Sequence, residues 1–264
     1  MSHSILRKSK LLRISSKDRL NPTNENRYDF EVGLDDYFLH QVKKVVVKSI
    51  IIPNTSYNIT DKNNKLIIDY NGVIKLIALQ TGQYTSFELE DAIITAFALI
   101  GVTLTIAENQ YTKVYELTFD QVTSIISITN SLNTYGQLGT LHRVLGLDVL
   151  DTNDTPSGLT YTAPHLRDLS GLKKVYIGSN TLGNTTSLIS SDKTKRNIFT
   201  EVDIEAKWGY IEHRVIDDLN NIDEHTYYAP KDISVIDISL YDQNLEPLDL
   251  NGHEFELVLK IFGD

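Results

Sequence analysis

The run VKKVVVKSIIIPNTSYNIT, Val42 to Thr60, limits the fold of this chain more than any other stretch. It concentrates β-branched aliphatics at Val45, Val46, Val47, Ile50 and Ile51. Such side chains are stiff at χ1 and favour the pleated backbone of a strand. Both faces are apolar around Val45 to Ile52, so the strand must be covered on both sides, inside a sandwich. Pro53 has no N–H to give to a ladder and therefore ends it or sits at its edge. The turn that follows, PNTSYNIT, offers amides, hydroxyls and one phenol. A catalytic strand would be expected to end in a nucleophile, a glycine-rich loop or a metal ligand.

Alternation of apolar and polar residues extends this reading along the chain. Tyr28, Phe30, Val32 and Leu34 alternate with Asp29, Glu31 and Gly33, as in a half-buried strand. Further strands are expected at 65–70, 73–79, 102–107, 113–119, 124–129, 173–178, 197–208, 233–241 and 254–262. In 254–262, Phe255, Leu257, Leu259 and Ile261 share a face; Ile198, Thr200, Val202, Ile204 and Ala206 do so in 197–208. In ISVIDISLY the apolar phase changes between Val235 and Ile236, which a β-bulge would accommodate. All six prolines fall outside these strands or at their ends. One segment departs from the pattern. Thr85 and Glu88 form a capping box, and Leu89, Ile93, Ala96, Phe97 and Ile100 recur at helical spacing before Gly101, so 86–100 is expected to be a helix packed on a sheet. A shorter helix is expected over 137–145, with Leu138, Leu141 and Leu145 inward and Gly146 after it. Many short strands with long connections imply a sandwich or jelly roll.

Charge is unevenly placed. Residues 1–24 carry Arg7, Lys8, Lys10, Arg13, Lys17 and Arg19 against Asp18 alone, a net of +5, while the remaining residues sum to −15. Residues 1–24 read either as a solvated, flexible terminus or as a basic arm that reaches an acidic neighbouring subunit, with the genome as the weaker partner. On that reading, deleting residues 2–20 leaves a folded subunit. The chain has no cysteine, which excludes disulfides, thiolate metal sites and thiol catalysis, and fits a reducing compartment. The N-terminal residues hold no apolar core long enough for a signal peptide, and no apolar run approaches the roughly 20 residues of a membrane span.

The chain's motifs that resemble chemical sites are each incomplete. GSNTLGNTTS has Gly178 and Gly183 at phosphate-loop spacing, but Asn184 stands where a lysine is needed and no helical pattern follows. DTNDTPSG begins like a calcium loop with Asp151 and Asn153, then places Pro156 where the turn needs glycine. Asp223, Glu224 and His225 are consecutive, and consecutive residues of a strand face opposite sides. The 35 acids single out no glycosidase pair. Trp208 in KWGY is a stacking surface for a sugar or base, or an interface residue.

An ordered set of short motifs resembles a known family. ISSKDRLNPTNENRYDFEVGL is followed by VVVKSIIIPNTSYNIT, LQTGQYTSFELEDAIITAF, LHRVLGLD and finally ISVIDISLYDQNLEPLDLNGHEFELVLKIF. Together they span nearly the whole chain. This resembles the penton, or minor capsid, proteins of virophages and Polinton-type viruses, and related capsid proteins of large DNA viruses. The resemblance implies a mainly β protein, a single jelly-roll β-sandwich with an inserted β-rich stretch containing one longer helix. It also implies that five copies close a vertex of an icosahedral shell. The expected division is a basic arm over 1–24, a jelly-roll domain over 25–72 and 166–264, and an inserted region over 73–165. The expected function is a structural capsid protein and not an enzyme, with no catalytic, cofactor or metal residues. Its partners are itself, as a homopentamer, and the major capsid protein; its place is the virion, assembled in the host cytoplasm. The alternatives are a carbohydrate-binding attachment or spike-like sandwich and an unrecognised glycoside hydrolase. HLRDLSG at 165–171 is not an RGD attachment triplet.

Overall fold

The structure is a computed structural model; it describes residues 9–21, 28–34, 39–125, 140–147, 158–183, 187–189, 194–216 and 224–263. In chain order the strands begin with β1 (Ser9–Ser15), β2 (Asp29–Gly33), β3 (Leu39–Pro53), β4 (Lys65–Tyr70) and β5 (Val73–Ala78). Helix α1 (Ser86–Leu99) separates these from β6 (Leu104–Glu108) and β7 (Tyr115–Ile125). After α2 (Leu141–Val144) come β8 (Gly158–Thr162), β9 (Lys174–Gly178), β10 (Ser187–Ile189), β11 (Lys195–Asp203) and β12 (Ile211–Val215). The last three are β13 (Glu224–Ile233), β14 (Val235–Tyr241) and β15 (Glu256–Phe262). The chain forms two units, one of Met1–Ser56 with Leu172–Asp264 and one of Tyr57–Gly171.

The first unit is an antiparallel β-sandwich around one apolar cluster. One sheet runs β1-β15-β3-β12, with β13 also pairing with β3; the other runs β10-β11-β9-β14-β2. With β12 and β13 taken as one position and β10 as an addition, the strands in chain order fall as first-eighth-third-sixth in one sheet and second-seventh-fourth-fifth in the other. Successive strands change sheet at every step but one, which is jelly-roll topology. The long β3 is central: β15 pairs along one side, and β12 and β13 share the other. Its Val45, Val46, Val47, Ile50 and Ile52 are all buried. Leu257, Leu259 and Ile261 of β15, with Phe255 just before it, line the same core.

Three sequence expectations change here. Residues 9–15 are not a free arm but β1, paired with β15 from Ser9↔Phe262 to Ser15↔Glu256. Leu12 and Ile14 face the core because their partners Leu259 and Leu257 do, and Ile14 is fully buried. Ser16 locks the strand end: its N–H donates to the Phe255 carbonyl (3.1 Å) and its hydroxyl accepts from the Phe255 N–H (3.1 Å). The phase change in ISVIDISLY is not a bulge. Ile233 ends β13 in one sheet and Val235 begins β14 in the other, so Ser234 is the corner at which the chain changes sheet and the inward face changes with it. The boundary drawn at residue 72 also moves, because β4 pairs with β5 and β7 in the second unit.

The second unit is a five-stranded antiparallel sheet, β5-β4-β7-β6 with β8 on β7. Its core is separate in composition: Leu66, Ile68, Leu104, Leu117 and Phe119 of the sheet pack with Leu89, Ile93 and Phe97 of α1. Phe97 meets Phe119 edge-on at 6.0 Å. The capping box is formed: the Glu88 N–H donates to Thr85 Oγ1 (3.4 Å) and the Thr85 N–H to Glu88 Oε2 (2.8 Å). Asn71 and Gly72 both have positive φ, the two-residue turn that matches strand twist in a hairpin. β7 runs unbroken through Ile125 where a break was expected between strands at 113–119 and 124–129; residues 126–129 lie outside the described residues. The short helix occupies Leu141–Val144, with Leu141 and Leu145 buried; Leu138 lies outside the described residues.

Candidate functional site

The phosphate-loop look-alike is filled by the protein's own anion. After β9, the N–H groups of Asn180 and Thr181 both donate to the Asp237 carboxylate at 2.7 Å, and the Ser179 hydroxyl donates to it at 3.1 Å. Burial alone would raise the Asp237 pKa, but these hydrogen bonds outweigh it and hold the carboxyl below its ordinary range. The glycines serve packing: a Cβ on Gly178 would lie 2.8 Å from the Tyr241 ring, and one on Gly183 2.4 Å from the Ser179 carbonyl. Lys231 and Tyr227 secure the other side of the loop by donating to the carbonyls of Thr181 and Leu182. A groove beside it is lined by Asp29, Glu31, Asn180, Thr181 and Asp237. Two of its three carboxylates are already bound within the fold, Asp237 as above and Asp29 by the Ser239 hydroxyl (2.7 Å).

Glu224 and His225 are likewise engaged within the fold. Glu224 pairs with Lys44 at 2.6 Å, and the His225 ring lies on Phe199 at 4.4 Å between centroids. Asp223 and the 151–157 segment lie outside the described residues. Among the described residues no group of three His, Asp or Glu is placed to hold a metal ion, and no helix is long and apolar enough to cross a membrane. The polar turn after β3 is structural. Asn54 and Thr55 are buried; Asn54 Nδ2 donates to the Ala206 carbonyl and Thr55 Oγ1 to the Leu250 carbonyl, each at 2.7 Å. Asn58, in the second unit, braces Tyr84 through its amide, donating to the carbonyl (2.8 Å) and accepting from the N–H (2.9 Å). These amides fasten loops that would otherwise carry unsatisfied backbone groups.

What remains is surface: in the first unit exposed large apolar side chains stand at two strand edges and singly at Ile189 of β10 and Tyr228 of β13. One edge is β1 with the turn after it. Arg7 and Lys8 lie outside the described residues. Arg13 forms a two-point ion pair with Glu256 on the outer face, with Nε at 2.9 Å, and this hydrogen bonding holds Glu256 below the usual carboxylate range. Arg19 donates to the Ser16 carbonyl (2.6 Å) and lies 3.9 Å from Glu254. Lys10 and Lys17 are exposed, as are Leu11 (71%) and Leu20 (49%). The structure therefore keeps two of the six expected cations in ion pairs of their own subunit and leaves Lys10 and Lys17 facing out.

The other edge is β12, which the sequence reading missed. Its orientation is reversed relative to an ordinary half-buried strand. Glu212 and Arg214 lie on the side of Ile52 and Ile50, toward the core. There Glu212 accepts from the N–H groups of Glu205 (2.9 Å) and Ala206 (2.7 Å), and Arg214 donates to the Glu201 carbonyl (2.6 Å). Ile211 and Val215 point outward and are 62% and 68% exposed. Trp208 (44%) and Tyr210 (68%) extend the apolar surface into the preceding loop. The sequence trace was the alternation Ile211, His213, Val215 after Gly209, short and flanked by polar residues.

No family model matches this sequence, and no curated protein matches it. Among solved structures the chain is similar to the crystal structure of the selenomethionine-labelled mavirus penton protein. The two share 10% identity at a TM-score of 0.49, over 97% of this chain and 100% of that one.

Proposed function

We propose that the protein is a structural capsid protein, the penton that closes the fivefold vertices of an icosahedral shell as a homopentamer beside a major capsid protein. It resides in the virion and is assembled in the host cytoplasm. The observation that carries this reading is the strand order of the first unit, a single jelly roll whose chain leaves after β3 for a second unit and returns at β9. The ordered sequence motifs that resemble pentons support it. Among the described residues, the loop amides, Asp237, Glu224 and His225 are engaged within the fold, which is compatible with this reading. Of the basic residues, Arg7, Lys8, Lys10 and Lys17 contribute contacts to acidic neighbours in the shell, and only weakly to the genome, while Arg13 and Arg19 are paired with Glu256 and Glu254 of their own subunit.

Native mass spectrometry of the purified chain, followed by cryo-electron microscopy of the chain mixed with its major capsid protein, tests the proposal. Pentamers that occupy vertices are the expected result. A particle whose vertices form equally well without this protein would overturn it. A second reading, a glycan-binding attachment protein, is favoured by the exposed Trp208 and Tyr210 on one loop. It predicts glycan-array binding that Trp208→Ala abolishes.

A further inference from the structure

We propose that the β12 edge of one copy docks on the β1 edge of the next, so that the β1-β15-β3-β12 sheets run continuously around a ring. This rests on the capsid reading for its setting and goes beyond it in naming the two surfaces. Both edges are open: among the described residues β1 pairs with β15 alone and β12 with β3 alone. Open edges present unpaired N–H and C=O groups to a further strand.

Strand direction permits the contact. Along the sheet β1-β15-β3-β12 every neighbour is antiparallel, so β12 runs opposite to β1. A copy carried sideways without inversion therefore offers its β1 antiparallel to β12, and the alternation continues. The level of the residues also agrees. Following the registers across the sheet, Arg13 lies level with Val258, Ser49 and Val215. Val215 of one copy thus comes beside Arg13 and Leu11 of the next, on the outer face. The loop before β12, with Glu205, Trp208 and Tyr210, then comes beside the turn after β1, with Lys17 and Leu20.

The surfaces are complementary in kind. Each carries large exposed apolar side chains, Leu11 and Leu20 on one, Ile211, Val215 and Tyr210 on the other. The first is basic through Lys10 and Lys17, and the second carries the exposed acid Glu205 in the loop before β12, whereas Glu201 and Asp203 of β11 are paired with Lys174. Charge also disfavours the twofold alternative, because pairing β1 with another β1 would oppose like cations. The contact is therefore heterologous, the kind that closes rings when the rotation allows it.

The lack of native cysteine makes the test clean. Leu11→Cys and Val215→Cys are made singly and together, and treated with a short thiol crosslinker. The double variant should give a covalent ladder ending at the ring number. Mixed single variants should give dimers, and either single variant alone none. Leu11→Cys mixed with Ile189→Cys, on the edge strand β10 of the other sheet, should also give none. Lys17→Glu and Glu205→Lys should each lower assembly at least tenfold in concentration, and Lys17→Glu/Glu205→Lys in one chain should restore it. Pentamers that show no 11–215 crosslink overturn this interface and leave the capsid reading standing. A ladder that closes at another number supports the interface and overturns the penton reading. A chain that stays monomeric overturns both.

Discussion

Asp237 decides the geometry of the 179–183 loop, since three donors of that loop converge on its carboxylate. Removing the carboxylate leaves three loop donors, two of them part-buried, without their acceptor, so Asp237→Ala should cost roughly 1–2 kcal/mol in chemical denaturation. The pH dependence follows from the direction of the shift. The folded-state pKa is held below the unfolded value, near 3.9. The stabilisation is therefore complete above that value and is lost as pH falls through the folded pKa. Melting temperatures of the native chain and Asp237→Asn should differ at pH 7 and converge in strong acid. A gap that persists unchanged at pH 2 would assign the loop to other contacts. At the same scale, Thr85→Ala should destabilise α1 by about 1 kcal/mol through the lost cap. Both capping residues were legible in the sequence, because a capping box is a local pattern. The role of Asp237 was not, because it lies 56 residues from Thr181 and only the fold brings them together.

Elements with a single dry face were the easiest to read. α1, β2 and β15 each show their period: α1 buries Leu89, Ile93 and Phe97 with Ala96 and Ile100 only partly covered, β2 buries Phe30 and Val32, and β15 buries Leu257, Leu259 and Ile261. Phe97, fully buried and set against Phe119, should cost about 3–5 kcal/mol on truncation to alanine. β1 and β12 were harder because they are edges. β1 turns only Leu12 and Ile14 inward among cations, which reads as a solvated arm, and β12 turns its polar residues inward. β1 is nonetheless part of the jelly roll. Deleting residues 2–15 should expose the edge of β15 and lower thermal stability markedly, rather than leave a native-like subunit. A truncated chain with an unchanged melting temperature would return the segment to the status of an arm.

The described residues form two cores with no residue in common. Phe97→Ala should therefore loosen hydrogen-exchange protection across 66–119 and leave the amides of β3 and β15 as slow as before. The division itself was only partly legible, since KLIIDY continues the strand-rich N-terminal stretch and nothing local shows that β4 pairs with β7 rather than β3. The order of the jelly roll has one more consequence, for synthesis. The Arg13–Glu256 pair spans 243 residues, and β3 gains its first neighbours only when β12 and β15 have been made. The second unit, by contrast, is continuous from Tyr57 to Gly171. Contacts so distant in sequence form late and slowly. On the ribosome the second unit folds first, while the valine-rich β3 waits upstream without a partner, the segment most in need of a chaperone's protection.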